Sequence, residues 1–335
     1  HRYPKRKPTV GFVRRIKRSL VLLSLRLYAK EMKDFLLFSG SSNIPLAHEV
    51  AKILGVTLGT VDLSRFADGE LRPWIQEDVR DKTVFVLESL SHSMDEHIME
   101  IALMGDAIRR SAPKNMIAII PYMGYARQDK QHRIGEPISA RVIAKFLEVS
   151  KYKEIIALDL HNDAIVGFFQ IPVTHLSAMP ILQQEIIKLN LDDPVVVSPD
   201  VGGVKRARNL AYQLDVPLVV MEKKRFLDKH DSSEAFQIIG DVKGKSAIII
   251  DDVISTGQTI VHSAQSLTEA GAKKVIVAAT HGLFAGSASE DMDTAPIDSL
   301  IVTNSVNHEG HPHPKKMHEV SIAACISQAI TTIIR

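Results

Sequence analysis

The sequence predicts an α/β fold: two tandem α/β units, each a mostly parallel sheet flanked by helices. Three observations carry this. The chain has 335 residues, 45% of them hydrophobic, which is enough for two ordinary domains with real cores. Short apolar runs such as FLLFSG, TVFVLES, MIAIIPY, EIIALDL, PVVVSPD, PLVVME, SAIIIDD, KVIVAAT and DSLIVTN alternate with longer amphipathic stretches, the signature of βαβ units. Two stretches also repeat one order of elements. DKTVFVLESL, a helix and AIRRSAPKNMIAIIPYMGYA are echoed by GKSAIIIDDV, a helix and SLTEAGAKKVIVAATHGLFA. Gene duplication explains the echo, with two generic βαβ units as the alternative.

The halves divide at 32–178 and 179–317, and a last helix, 318–335, is free to pack on either. Residues 1–31 are set apart, because His1 to Leu27 carries Arg and Lys but no Asp or Glu. That segment reads as an organelle transit peptide, as read-through of upstream sequence, or as a basic arm. Met32, just ahead of the first strand, favours read-through. The formal net charge is only +2, so an anion site must be local, and neither a nucleic-acid nor a membrane partner is expected. No apolar run reaches the roughly 18–20 residues of a membrane-spanning helix. The single cysteine, Cys325, reads as core packing and suits a reducing compartment. A cytoplasmic location is expected, or an organelle if residues 1–31 are a transit segment.

The halves differ where chemistry would sit. In the second, an apolar strand ends in Asp251 and Asp252, and the loop Ser255, Thr256, Gly257, Gln258, Thr259 opens a helix. Small residues at a helix start aim backbone N–H groups at one spot, and the hydroxyls add donors, so the loop reads as a phosphate cradle. Two adjacent carboxylates accept hydrogen bonds from vicinal hydroxyls. Phosphate plus diol indicates a pentose 5-phosphate. The first half has ESLSHSMDEH at this place and no such loop.

This motif resembles the phosphoribosyl-diphosphate motif of phosphoribosyltransferases and ribose-phosphate diphosphokinases. Many diphosphokinases carry a third acid where Ser255 stands and Gly where Gln258 stands. Four further segments resemble the diphosphokinase (phosphoribosyl diphosphate synthetase) family specifically, and the likeness extends over nearly all of 34–335. RFADGEL resembles its nucleotide segment: Phe66 offers a ring to adenine, while Asp68 and Glu70 alternate on an extended chain and so face one side. IPYMGYARQDKQ supplies Arg127, Gln128 and Asp129, which the resemblance assigns to ATP. ALDLHNDAIVGFF places His161 where the family has a metal-binding histidine. VVVSPDVGGVKRAR brings Asp200, a magnesium ligand by resemblance, to a Gly202-Gly203 turn that lets backbone approach a diphosphate. In VVMEKKRFLDKHD, the family's essential lysine and arginine map onto Lys223 and Arg225.

The resemblance implies two phosphoribosyltransferase-like domains, the first on the ATP side and the second holding ribose 5-phosphate. It implies transfer of the β,γ-diphosphate of ATP to O1 of ribose 5-phosphate, giving phosphoribosyl diphosphate and AMP for nucleotide biosynthesis. Mg²⁺ is the implied cofactor. The implied assembly is a dimer-based homo-oligomer, a tetramer or hexamer included, in which subunits complete the ATP site. Many members continue past the last helix into a Gly/Ser-containing tail that forms part of an ADP site. No counterpart follows Arg335 here, so weak ADP inhibition is expected. Two rivals share the motif. A phosphoribosyltransferase would have no use for RQD, DLH and KKR together, and a non-catalytic regulatory paralogue typically loses parts of the catalytic set.

Overall fold

The computed structural model describes residues 35–224 and 235–335; the segment 1–31 and Arg225 lie outside them. The first half runs β1 (Phe35–Ser39), α1 (Ile44–Leu54), β2 (Val61–Arg65), β3 (Leu71–Ile75), β4 (Thr83–Leu87), α2 (Met94–Arg110), β5 (Asn115–Ile120), α3 (Ser139–Val149), β6 (Glu154–Leu158) and β7 (Val173–Leu176). Helix α4 (Met179–Lys188) leads on to β8 (Pro194–Ser198), α5 (Val204–Leu214), β9 (Leu218–Lys224) and β10 (Ala235–Ile239). Then come β11 (Ser246–Ile254), α6 (Gln258–Glu269), β12 (Lys274–Gly282), α7 (Ala288–Thr294), β13 (Ser299–Thr303), β14 (Met317–Val320) and α8 (Ala323–Ile334).

The first sheet is ordered β1-β4-β5-β6-β7 and is parallel throughout. The second, β10-β9-β8-β11-β12-β13-β14, is parallel except for β10. Strands β8-β11-β12-β13-β14 repeat the order of the whole first sheet, as duplication requires. In both copies an antiparallel pair follows the first helix. In the second half it extends the sheet as β9-β10; in the first it stands apart as the hairpin β2-β3.

All nine apolar runs are strands. Strand β4 is buried at every residue, as expected when helices cover both faces of a parallel sheet. Strands β2, β3, β7, β10 and β14 were not legible as apolar runs: β2, β3 and β7 are half-buried or exposed throughout, and β14 is buried only at Val320. Helix α1 is set by local chemistry. The Asn43 side-chain oxygen accepts from Leu46 N at 3.3 Å, Pro45 fixes the first turn, and Gly55 closes the end at φ 69°.

Two expectations are corrected. Residues 318–320 are not helical. They extend the second sheet as β14, pairing with β13 and satisfying backbone that a helix there would leave bare. Helix α8 starts only at Ala323 and packs on the first half, where Ile322, Ile326 and Ile330 join Leu46, Val50 and Leu54 of α1 in one core. Residues 66–70 are not extended. They form the turn of the β2-β3 hairpin, with Phe66 N donating to Glu70 O at 2.9 Å and Gly69 at φ 97°. Asp68 therefore closes the turn, accepting from Glu70 N at 3.2 Å, instead of sharing a strand face with Glu70.

Cys325 is half-buried on α8, where burial raises its thiol pKa. Among the described residues no helix is long and apolar enough to cross a membrane.

Candidate active site

The C-terminal ends of β5, β6, β8 and β11 deliver their following loops to one cleft of about 380 Å³ between the halves. It is lined by Arg127, Asp129 and His161 from the first half. The second contributes Asp200, Gly202, Gly203, Asp251, Asp252 and the loop Ser255–Thr259. Sequence reasoning passed over Lys130, His132, Asn162 and Arg206, which also line it. The basic start of α5 in KRAR was the signal for Arg206; Asn162 had only its place beside His161.

Two helix starts open on this cleft, through Gly203 at α5 and Gly257 at α6. Each leaves its first N–H groups without intrahelical partners and adds positive potential. With Arg127 and Lys130 they give the cleft local anion-attracting points beside its aspartates, although the whole chain is nearly neutral. Gly257 has φ 72°, and a Cβ there would meet Met292 Sδ at 3.3 Å, so the loop needs glycine at this position. Gln258 is already the first helical residue, and its Nε2 donates to Asp291 Oδ2 at 2.9 Å. The cradle therefore has no need of a glycine at 258; the glutamine fastens it to α7.

Beside the cradle, Arg206 bridges the acid pair. One of its guanidinium nitrogens lies 3.1 Å from Asp251 Oδ1 and 3.1 Å from Asp252 Oδ1. Asp252 Oδ2 meets His161 Nδ1 at 2.6 Å. Burial and the charge of Asp252 push the Asp251 carboxyl up. Burial alone would raise Asp252 too, but the His161 hydrogen bond and the Arg206 charge outweigh it and hold Asp252 well below the usual carboxylate range. The same hydrogen bond raises His161. With Nδ1 donating to Asp252, His161 presents Nε2 outward in a fixed orientation. Asp200 Oδ1 accepts from Gly203 N at 2.8 Å and shapes the turn ahead of α5.

Not every candidate residue reaches this cleft. Phe66, Asp68 and Glu70 lie at the hairpin tip and do not line it. Phe66 is exposed, with the Arg72 guanidinium 5.4 Å from its ring centroid. Gln128 turns away: its Oε1 accepts from Ser139 Oγ and its carbonyl from Ala140 N at 3.2 Å, so it anchors the start of α3. Asp129 accepts from Asn162 Nδ2 at 2.7 Å. Lys223 is the last but one residue of β9, and Arg225 lies just past the strand, outside the described residues.

The first-half counterpart of this site is filled by protein. Glu88 follows β4 as Asp251 follows the apolar run of β11. Glu100 of α2 accepts from Ser41 N at 2.6 Å and Ser41 Oγ at 3.0 Å, and Glu88 Oε1 accepts from Ser42 N at 3.2 Å. Two carboxylates thus occupy the N-terminal end of α1. Glu88 Oε2 is buried and faces no N–H or O–H donor, which suits an oxygen that carries a proton itself. Burial, then the Glu100 charge, raises the Glu88 pKa well above the ordinary range. The neutral form thus stabilises the fold at low pH, and that stabilisation is lost as pH rises through the raised native value. Urea unfolding followed upward from about pH 4.5, the ordinary glutamate value, should show this contribution falling, and the slope should flatten in Glu88→Gln. An equal slope in both would refute the protonated Glu88.

Residues 35–150 match the family described as the N-terminal domain of ribose phosphate pyrophosphokinase, and residues 229–335 match the phosphoribosyl synthetase-associated domain. Curated ribose-phosphate pyrophosphokinases are similar over most of their length. That of Bacillus caldolyticus is 42% identical over 89% of this chain and 94% of its own; that of Aquifex aeolicus is 42% identical over 90% and 96%. The crystal structure of phosphoribosylpyrophosphate synthetase from Mycobacterium smegmatis superposes with a TM-score of 0.84 at 38% identity, covering 90% of this chain and 98% of that one. This likeness across both halves leads to one conclusion: the chain belongs to the ribose-phosphate pyrophosphokinase family.

Proposed function

We propose that the chain transfers the β,γ-diphosphate of ATP to O1 of ribose 5-phosphate, releasing AMP and phosphoribosyl diphosphate. The observation that carries this reading is the cleft itself, where one phosphate cradle, one acid pair and three cations converge. The loop Ser255–Thr259 and the α6 start take the 5-phosphate. Each carboxylate oxygen has two lone pairs, so Asp251 and Asp252 accept from the ribose hydroxyls while Arg206 stays in place. Arg127, with Asp129 and Lys130 beside it, holds the ATP phosphates. Gly202, Gly203 and the α5 start face the diphosphate. Lys223 and Arg225 close over the transferred group and stabilise the charge that grows there.

The donor set fits Mg²⁺ in one way. Among the described residues no group of three His, Cys, Asp or Glu side chains can hold a metal. Asp200 Oδ2 and His161 Nε2 would hold the ion at the cleft, and its other ligands would come from substrate phosphates and water, as Mg²⁺ commonly does. Bound there, it supplies charge neutralisation on the phosphates. The hairpin residues Phe66, Asp68 and Glu70 fit a nucleotide only across a subunit boundary, which makes a dimer-based homo-oligomer part of this reading.

The test is a stoichiometric assay with ribose 5-phosphate, ATP and Mg²⁺. AMP and phosphoribosyl diphosphate in equal amounts, needing all three components, is the expected result. No AMP, with stimulation of an active relative, would make the chain a regulatory paralogue; base-dependent consumption of phosphoribosyl diphosphate would make it a phosphoribosyltransferase.

A further inference from the structure

Asp159 lies two residues before His161, and neither its carboxylate nor the residue it grips lines the main cleft. Its position is heavily determined. Its N–H donates to Leu176 O at 3.0 Å. Its Oδ2 accepts from Ala178 N at 3.0 Å and, across the junction, from Thr280 Oγ1 at 2.6 Å. Its carbonyl faces Nε2 of the buried His281 at 3.3 Å. Its φ is 36°, a left-handed conformation that costs a non-glycine residue about 1–3 kcal/mol and persists only where neighbours enforce it.

The second half supplies a matching spacing. Strands β11 and β12 are parallel neighbours, with Asp251 opposite Ala279 and Val253 opposite His281. Asp252 and Thr280 therefore stand side by side on one face, about 4.8 Å apart across the ladder. Residues 159 and 161 of one segment thus meet residues 280 and 252 of two adjoining strands. The contacts are two rungs of one ladder: Asp159 on Thr280, and His161 on Asp252 at 2.6 Å.

We propose that Asp159 and Thr280 are positioning residues, a clamp across the two halves that sets His161 against the acid pair for the transfer step. The inference rests on the reading of His161 given above. Thr280 suits a test because its backbone is held independently, its carbonyl accepting from Thr303 Oγ1 at 2.7 Å. Thr280→Val therefore removes the rung and keeps the shape.

The experiment measures kcat, KM for ribose 5-phosphate and Mg²⁺ half-saturation for T280V, T280S, H161A and T280V/H161A, with melting temperatures. Displacing a catalytic group by about 1 Å costs on the order of 10²-fold, so T280V should lose about 10- to 100-fold in kcat. KM for ribose 5-phosphate, set by the cradle and by an acid pair that Arg206 still holds, should stay within about twofold, Mg²⁺ half-saturation should rise, and T280S should recover most of the loss. In the H161A background T280V should cost nothing further, because the clamp acts through that side chain. T280V with wild-type kcat, T280S as impaired as T280V, or full additivity with H161A would each overturn the clamp. H161A with wild-type kcat would instead sink the reading of His161 on which the clamp rests.

Discussion

Asp252→Ala is expected to lower kcat/KM for ribose 5-phosphate by about 10²–10⁴-fold, from the loss of two charge-assisted hydrogen bonds of about 1.5–3 kcal/mol each. Asp252 is the most connected group of the cleft. It is 4% exposed, and it meets both Arg206 and His161. Its loss removes an acceptor for the sugar, frees the imidazole to turn, and leaves Arg206 with Asp251 alone. Asp251 would then ionise more readily, since the neighbouring charge adds to burial in raising it. Titration calorimetry with ribose 5-phosphate separates binding from chemistry. Asp252→Asn keeps the shape and should recover little, because the charge is what Arg206 and His161 engage. Wild-type affinity in either variant would remove the acid pair from sugar binding.

Lys223→Ala should lower kcat by about 10²–10³-fold and move KM only a few-fold, the pattern of a group that acts mainly in the transition state. Strand β9 carries the backbone of this lysine to the end of the sheet where the cleft opens. Ser198, the last residue of β8, pairs with Val220, yet β9 continues to Lys224. It overshoots its neighbour by four residues, about 13 Å at 3.3 Å per residue, with β10 alone alongside. The overshoot leaves the sheet at the edge where Asp200 and Asp251 emerge. Single-turnover kinetics at saturating substrates is the measurement, and a kcat near wild type would refute the role.

Much of this site was legible because its parts are short and contiguous. A strand, two aspartates and a Gly-containing loop at a helix start can be read from residues 246–260 alone. So can SPDVGG, where strand, acid and turn are consecutive. What escaped depends on distance in sequence. Arg206 matters because it faces Asp251 and Asp252, forty-five or so residues on, and a basic helix start looks like any solvated face. Gln128 belongs to the same case: its neighbours in the chain suggest a ligand contact, and only the fold shows that Ser139, eleven residues later, meets its side chain. The fold followed the same rule. Buried central strands announce themselves as apolar runs, while edge strands and the β2-β3 hairpin, half solvated, have no run to show. The final crossover was illegible because β14 pairs through backbone, and the helix after it had two apolar faces on which to pack.

That crossover has a bearing on how the chain is made. The helical layer on one face of the first sheet stays incomplete until α8 arrives, and α8 is translated after the whole of the second half. At 5–20 residues per second, residues 35–178 wait about 10–30 s on the ribosome with the α1 surface of Leu46, Val50 and Leu54 incompletely covered. Synthesis of the second half therefore precedes completion of the first. A nascent chain stalled before residue 323 should remain sensitive to protease across 35–178, even though every strand of that sheet has already emerged.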